Sequence, residues 1–223
     1  MKKLPPQTKL VLDVLKLLHE EKVLDHVLLV GSWCMFFYKD LFPKKEFSAL
    51  RTRDMDFLVP LPCQLKSDVD IQPLLEKLGF LVEFHSDGSM SFDHPELMID
   101  FLVPEKGPPK DKPVNIKQLH IKAQALRFMD ILLTDPVQIK YQGITMLAPH
   151  PVRFGFHKVL ISTRRQKKDK AQNDLSQGVD ILSICHHVPT YKDSMKTIFE
   201  SFHKNQRKVI ESTLNKINRS DLL

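Results

Sequence analysis

Two aspartates near the end of the first quarter of the chain, Asp54 and Asp56, carry the clearest chemical signal. If Asp54 to Val59 is a β-strand, both side chains project from the same face, because side chains alternate along a strand. Two carboxylates in this position repel each other unless a cation lies between them. Such oxygen ligands suit Mg²⁺, which binds one or two carboxylates together with waters and substrate phosphates. The pair therefore predicts a magnesium site.

A glycine-serine turn precedes this pair in the sequence. Gly31 and Ser32 follow an apolar run, Val27 to Val30, which is predicted to be a buried strand. An amphipathic segment from Ser32 to Leu41 is predicted to be a helix, with Ser32 as its N-cap. A turn of this kind leaves backbone N–H groups free to hold an anion. A phosphate site beside a magnesium site implies a bound nucleotide.

A third carboxylate, Asp100, interrupts the apolar run from Leu97 to Val103. A carboxylate inside a buried strand is costly unless it is paired or bound to a metal. If this strand lies beside Asp54 to Val59, Asp100 completes a cluster of three carboxylates. Asp130 is the competing candidate, because it also interrupts an apolar run. Asp100 is favoured because it directly follows a hairpin predicted around Asp87 and belongs to the same sheet.

Basic residues close to these acids are candidates for phosphate binding. Arg51 and Arg53 come just before the carboxylates, and either could reach a phosphate or form a salt bridge with Asp54 or Asp56. A salt bridge of this kind would give the acids a structural role with no ligand.

A second group of basic residues lies much later in the chain. Four residues at intervals of four, three and four would share one face of a helix: Lys158, Ser162, Arg165 and Asp169. Arg164 and Lys168 form a neighbouring pair on the same helix. This cationic stripe could bind a triphosphate, although such a stripe is also typical of a solvated helix face.

Composition narrows the class of protein. The chain has 223 residues with 42% hydrophobic content and a net charge of +6, which fits a globular protein with a polyanionic partner but does not separate a nucleotide from a nucleic acid. No apolar run approaches the roughly 20 residues needed to span a bilayer, and no signal peptide is recognised, so we expect a cytoplasmic location and no membrane partner. The three cysteines are isolated and predict neither disulfides nor a zinc site.

The order of predicted elements indicates an α+β fold, with a mixed sheet in residues 1–150 and a C-terminal helical domain in residues 151–223. Thr8 to Glu21 is predicted to be a helix with Thr8 as a possible N-cap, and Asp68 to Leu78 a helix capped by Ser67 or Asp68. A later meander of strands and four C-terminal helices complete the prediction: Ala125 to Leu133, Val137 to Tyr141 and Ile144 to Leu147, then Val152 to Arg165, Ala171 to His186, Lys192 to His203 and Lys204 to Ile217.

Together, the glycine-serine turn, the Asp-x-Asp motif and Asp100 resemble the nucleotidyltransferase superfamily related to DNA polymerase beta. A downstream pattern looks like a bacterial subgroup of stand-alone nucleotidyltransferases, which includes relatives of the abortive-infection toxins of toxin–antitoxin pairs. This pattern consists of Phe154, His157, Lys158, Ser162, Arg164, Arg165, Lys168, Asp169 and Lys170. The matches cover residues 26 to about 174. Trp33 departs from the common pattern, because many relatives have a small residue after the glycine-serine pair.

The resemblance implies a mixed sheet flanked by helices and a specific reaction. Two Mg²⁺ ions, or Mn²⁺ in their place, would be held by Asp54, Asp56 and Asp100. The enzyme would transfer a nucleoside monophosphate from an NTP to a hydroxyl acceptor and release pyrophosphate. The other implied site residues all contact phosphate: Gly31 and Ser32 hold it, and Arg53, Lys158, Arg165 and Lys168 neutralise it.

The acceptor and the partners stay open at the level of sequence. RNA, in particular a tRNA end, is suggested by the basic charge and by the toxin relatives, which also imply a cognate antitoxin. A small hydroxylated compound of the aminoglycoside type or a protein side chain is an alternative acceptor. A non-catalytic module that binds a metal–nucleotide complex is the alternative from another functional class.

Overall fold

The fold is described from a computed structural model, which covers residues 5–42, 52–105, 107 and 112–223. Arg51 and most of the loop predicted between Phe42 and Thr52 lie outside the described residues. Within these ranges, no helix combines the length and the apolar character that crossing a membrane requires. All three cysteines are free thiols, as expected.

The described residues form nine β-strands and seven α-helices. The strands are β1 (Leu28–Val30), β2 (Asp54–Leu58), β3 (Leu81–Phe84), β4 (Met90–His94), β5 (Leu97–Pro104), β6 (Val114–Ile116), β7 (Ile121–Leu126), β8 (Val137–Tyr141) and β9 (Ile144–Ala148). The helices are α1 (Pro6–Glu20), α2 (Trp33–Phe37), α3 (Ile71–Glu76), α4 (Pro151–Ser162), α5 (Lys168–His186), α6 (Pro189–Glu200) and α7 (Lys204–Lys216).

The strands make one mixed sheet in the order β3-β4-β5-β2-β1-β9-β8. Strand β5 pairs in parallel with β2, and β1 pairs in parallel with β9, while β1 and β2 are antiparallel. The long strand β5 uses its first half to pair with β4 and its last residues to pair with β7. The α+β architecture predicted from the sequence is therefore confirmed.

The two faces of the sheet differ, because alternate residues of each strand point to opposite sides. One face is apolar, and the other combines a polar row with a smaller apolar cluster that includes Leu58 and Leu102. On one face, side chains such as Met55, Phe57, Ile99 and Phe101 are buried in the main hydrophobic core. On the other face, cross-strand register aligns a row of mostly polar residues across β1, β2, β5, β4 and β3. This row is Val30, Asp56, Asp100, Ser91 and Glu83.

Several predicted helix boundaries are wrong. Helix α1 begins at Pro6 without a side-chain cap from Thr8, because a proline in the first turn needs no N–H partner. Helix α3 begins at Ile71 and is capped by Asp70, whose carboxylate accepts a hydrogen bond from the backbone N–H of Gln72. The observed cap, Asp70, lies three residues after Ser67 and two after Asp68, the two predicted caps.

The segment after the glycine turn is also shorter than predicted. Helix α2 has only five residues and ends at Phe37, after which Tyr38–Asp40 continue as a 3-10 helix. Ser32 has helical backbone angles and makes no side-chain cap, so its predicted N-cap role is wrong.

The predicted meander is only partly correct. β8 and β9 pair as a hairpin around Gly143, as expected. The strand expected over Ala125 to Leu133 is wrong, because β7 ends at Leu126 and Met129–Leu133 form a 3-10 helix. Phe128 lies between them with a φ of 67°, which no strand residue adopts. A short apolar run does not by itself distinguish these conformations.

The four C-terminal helices occur in the predicted regions, but α4 ends at Ser162 rather than Arg165, and α6 (Pro189–Glu200) begins and ends three residues before its predicted bounds. α4 and α5 pack closely, because Gly178 faces Gly155: a Cβ on Gly178 would lie 2.9 Å from the carbonyl oxygen of Gly155. The division into two domains at residue 150 stays a prediction. The secondary structure changes from strand to helix at that point, and one hydrophobic core includes residues from both sides, such as Phe57 and Leu182.

Candidate active site

A cleft of about 930 Å³ lies over the polar face of the sheet. It is bounded by the turn after β1, by residues of β2 and β5, and by the facing sides of α4 and α5. The cleft contains most of the residues that the sequence marks as chemical.

The parallel pairing of β2 and β5 places Asp56 directly beside Asp100. Both residues, here called the aspartate pair, line the cleft, and so does Asp54 one pleat away. The Asp54 carboxylate lies 3.7 Å from the ammonium nitrogen of Lys170. Asp130 is exposed on the 3-10 helix and does not line the cleft. Of the two candidates for third carboxylate, the fold brings Asp100 to the other two.

The aspartate pair is electrostatically strained. Burial, followed by repulsion from Asp100 and Asp54, raises the pKa of Asp56 to about 7. Burial, followed by repulsion from Asp54, raises the pKa of Asp100 to about 6. A cation bound between the two carboxylates would relieve both effects.

The donor set fits a hydrated divalent ion rather than an all-protein cage. In the part of the chain that the structure describes, no three acidic, histidine or cysteine side chains gather closely enough to hold a metal alone. Mg²⁺ does not need such a group, because it commonly takes one or two carboxylates and completes its shell with water and substrate phosphate. The aspartate pair supplies those two carboxylates.

Only glycine fits at position 31 in this turn. Its φ is 72°, in the left-handed region, and a Cβ at this position would collide with a carboxylate oxygen of Asp56. Ser32, next to it, exchanges hydrogen bonds with the side-chain amide of Gln177 on α5, at 3.1 and 3.2 Å. The turn is therefore in direct contact with the acidic site and tied to α5.

Two of the predicted phosphate-binding cations meet at a single acid. The ammonium group of Lys158 donates to Asp174 at 2.6 Å, and Nε of Arg165 donates to the other Asp174 oxygen at 2.7 Å. We call these three residues the Asp174 triad. Burial alone would raise the pKa of Asp174, but the attraction and hydrogen bonds of Lys158 and Arg165 outweigh it and lower the pKa.

The predicted single-helix stripe is wrong, although its residues do converge. α4 ends at Ser162, so Lys158 and Arg165 do not share one helix face. They meet because the chain reverses and α5 packs back against α4, bringing Asp174 between them.

The remaining predicted cations lie elsewhere. Arg53 lines the cleft but donates to Asp93 and to the carbonyl oxygen of His94, so the predicted salt bridge to Asp54 or Asp56 is wrong. Arg164 lies over the ring of Phe128, 4.7 Å from its centroid.

Lys168 is exposed and does not line the cleft, whereas Lys170, two positions later, does. Helix α5 also lines the cleft with residues that the sequence analysis did not single out, among them Asp174 and Gln177. They follow Lys170, which belongs to the downstream sequence pattern, at intervals of four and three, and this spacing marks one polar helix face that could have indicated them.

Comparison with known proteins identifies the family. A sequence model described as nucleotidyltransferase matches residues 9–200. The chain belongs to the nucleotidyltransferase family. It is an enzyme of this class, which transfers a nucleoside monophosphate from an NTP. No curated protein matches the sequence.

Similar solved structures have low sequence identity to this nucleotidyltransferase. A solution structure of the antibiotic-resistance factor ANT(2'')-Ia is 11% identical, with 96% of each chain covered and a TM-score of 0.47. An antigenic nucleotidyltransferase-like protein from Paracoccidioides brasiliensis is 11% identical, with 92% of each chain covered and a TM-score of 0.45. ANT(2'')-Ia in complex with adenylyl-2''-tobramycin is 11% identical, with 96% of this chain and 99% of that chain covered and a TM-score of 0.42.

Proposed function

We propose that this nucleotidyltransferase uses Mg²⁺ to move a nucleoside monophosphate from an NTP to a hydroxyl group, with release of pyrophosphate. The observation that carries the proposal is the position of Asp56 and Asp100, in register on adjacent strands beside the Gly31 turn. An anion-binding turn and an unpaired acid pair on one cleft suit a metal–triphosphate substrate.

Asp56 and Asp100 would hold the metal ion. Asp54 would also bind metal if its carboxylate gave up the contact with the ammonium group of Lys170. Two Mg²⁺ ions are expected, and Mn²⁺, which accepts the same oxygen ligands, is the alternative. When bound, the ions neutralise the charge on the attacking and departing oxygens of an in-line displacement. Asp100, at the side of the pair away from the glycine turn, accepts the proton of the acceptor hydroxyl.

The remaining residues of the cleft bind and orient the triphosphate. The turn at Gly31 presents backbone N–H groups, and the Ser32 hydroxyl lies beside it. Lys158 and Arg165 supply two positive charges against one negative charge on Asp174, so the triad keeps a net positive charge for the phosphates. Arg53, which also lines the cleft, can add a further contact.

A polyanionic acceptor, an RNA 3′ end such as that of a tRNA, fits the rim of the cleft. Arg164, Lys167 and Lys168 are exposed in or next to the α4–α5 connection, close in sequence to the cleft-lining residue Lys170. Phosphate contacts of this kind predict RNA labelling that falls steeply with salt. A cognate antitoxin stays a prediction from the sequence resemblance.

The proposal is tested with each α-³²P-labelled NTP, Mg²⁺ and total RNA, in parallel with aminoglycosides and with no acceptor. Release of pyrophosphate with label in RNA supports the full proposal, and label in the aminoglycoside would assign a small-molecule acceptor. The matched controls are the Asp56→Asn and Asp130→Asn variants, since both are acidic but only Asp56 lines the cleft. Saturable NTP binding with no pyrophosphate release under any condition would instead identify a non-catalytic binding module.

A further inference from the structure

One buried side chain in the cleft wall has no hydrogen-bonding partner. His157 on α4 is 3% exposed, and neither ring nitrogen has a partner among the described residues. The residue nevertheless lines the cleft. Native proteins nearly always satisfy buried polar groups, with protein, water or a ligand, because an unpaired group costs free energy. His157 therefore has hydrogen-bonding capacity that the described protein does not use.

The position of His157 on α4 separates it from the contact with α5. Residues three and four apart share a helix face, so Phe154, His157 and Ile161 form one stripe, and all three line the cleft. The close contact with α5 uses a different face, at Gly155, which approaches Gly178. His157 therefore lies in the cleft wall, beside two other cleft-lining residues, rather than at the Gly155–Gly178 contact.

Apolar side chains surround this part of the cleft. The 3-10 helix Met129–Leu133 packs against α4, and its residues Met129 and Leu132 also line the cleft. On the neighbouring face of α4, Lys158 belongs to the charged triad. The residues that line the cleft thus include a charged set and an apolar set, and His157 directly precedes Lys158 of the charged set.

The state of the ring suits an uncharged ligand. Burial, and then the positive charge of Lys158, lower the pKa of His157 to about 3. A neutral imidazole offers one N–H donor and one nitrogen acceptor. It is a poor partner for a phosphate and a good one for a flat ring whose edge carries adjacent donors and acceptors, as every nucleobase does.

We infer that His157 hydrogen-bonds the base of the bound nucleotide, while apolar residues of the cleft contact the faces of the base. The inference rests on the proposed function, because it requires the triphosphate to bind at Lys158 and Arg165. His157 is then a residue that determines base specificity, and it does not take part in the chemical step.

The test compares ligands with and without a base. Dissociation constants are measured by isothermal titration calorimetry, in Mg²⁺, for the α,β-methylene analogues of ATP, GTP, CTP and UTP and for inorganic tripolyphosphate. The variants are His157→Leu, which removes the hydrogen bonds, and His157→Gln, which keeps a donor and an acceptor. His19→Leu is the matched control, because Nδ1 of His19 is also buried without a partner but lies on α1, outside the cleft.

The wild-type protein should bind one analogue more tightly than tripolyphosphate and more tightly than the other bases. His157→Leu should weaken the preferred analogue about 3- to 10-fold, the range of one neutral hydrogen bond, and reduce the preference among bases. It should leave tripolyphosphate within twofold of wild type. His157→Gln should keep part of the preference, and His19→Leu should change nothing.

Four results would overturn the inference. An equal loss for tripolyphosphate in His157→Leu would show that the residue only supports the phosphate site. Unchanged affinities and base preference in His157→Leu would show no contact with the base. If the wild-type protein bound tripolyphosphate as tightly as every analogue, the base would make no favourable contact, and the proposed function would still stand. If the wild-type protein bound neither tripolyphosphate nor any analogue, the inference and the proposed function would both be wrong.

Discussion

The two charged halves of the cleft are built in opposite ways. On the helical side, Lys158 and Arg165 are both paired with the buried Asp174 at hydrogen-bonding distance. On the sheet side, Asp56 and Asp100 lie side by side, and burial and repulsion between carboxylates raise the pKa of both, although Lys158 and Arg165 partly offset this for Asp56. The cations of the helical side are held by Asp174, whereas the acids keep a repulsion that a cation bound beside them would relieve. Under the proposed function, the first half contributes stability and the second carries the metal-dependent chemistry.

The largest effect should come from removing a carboxylate of the aspartate pair. Asp56→Asn and Asp100→Asn should each lower the rate of nucleotide transfer by about 10³-fold or more, because a metal ligand acts in the transition state. The measurement is pyrophosphate release with saturating Mg²⁺ and NTP. Asp130→Asn, an exposed acid outside the cleft, should stay within twofold of wild type. Near-normal rates in both pair variants would mean that the chemistry takes place elsewhere.

On the helical side, Asp174→Asn should mainly reduce stability. It leaves Lys158, which is 5% exposed, with an uncompensated buried charge, and breaking such a pair typically costs about 3–5 kcal/mol. The free energy of unfolding from urea titrations measures the loss. The control is Glu20→Gln, which breaks the exposed Lys16–Glu20 pair and should cost less than about 1 kcal/mol. Equal losses of unfolding free energy in the two variants would mean that the Asp174 triad stabilises the protein no more than an exposed ion pair does.

The opposite pH dependence of the two halves gives the next test. The folded-state pKa values of Asp56 and Asp100, about 7 and about 6, lie above the usual value of 3.8. Their contribution to stability is therefore full below pH 4 and is lost as pH rises toward 7. The pKa of Asp174 is lowered, so its contribution is present above pH 4 and is lost on acidification.

Without metal, Asp56→Asn should match wild type near pH 3.5, gain over it as pH rises, and melt a few degrees higher at pH 8, since 1 kcal/mol is about 2–4 °C at this chain length. Adding Mg²⁺ at pH 8 should raise the melting temperature of wild type more than that of Asp56→Asn. Thermal denaturation at the two pH values, with EDTA or Mg²⁺, measures both effects. A variant that is less stable than wild type at pH 8 in EDTA would contradict the electrostatic strain.

The smallest effect concerns the glycine turn. Gly31 and Gly143 both have a positive φ, of 72° and 82°, but only at Gly31 would a Cβ collide with a side chain, that of Asp56. Gly143→Ala should cost about 1–2 kcal/mol from backbone strain alone. Gly31→Ala should cost at least about 1 kcal/mol more, by analogy with overpacking in a core, and should also slow transfer. Urea denaturation measures the free energy of unfolding of both variants. Equal losses would mean that a Cβ at position 31 does not collide with the Asp56 carboxylate.

The sheet half of the site is predictable because its signals are local. Period-two alternation marks β2 and β5, and an aspartate inside each apolar run stands out as an unexplained charge. The hairpin at Asp87 directs β5 back into the sheet, so proximity of Asp56 and Asp100 follows from a few short connections. The same reasoning fails at Met129–Leu133, where the apolar run resembles a strand and forms a 3-10 helix.

The helical half depends on tertiary packing and could not be predicted in the same way. Lys158 and Asp174 are 16 positions apart in sequence, and they meet because glycines at 155 and 178 let α4 and α5 approach. The link between Ser32 and Gln177 spans 145 positions. The sequence spacing placed Lys158 and Arg165 on one helix face, but α4 ends at Ser162, and the two side chains meet only through the packing of α5 against α4.

A crystal of the protein with Mn²⁺ and a non-hydrolysable NTP analogue tests the central claim most directly, because anomalous scattering locates the metal without assumptions about the ligand. The account predicts Mn²⁺ bound by both Asp56 and Asp100 at about 2 Å, with the triphosphate between the Gly31 turn and Lys158. A nucleotide bound outside the cleft, or a metal that contacts neither aspartate, would contradict it.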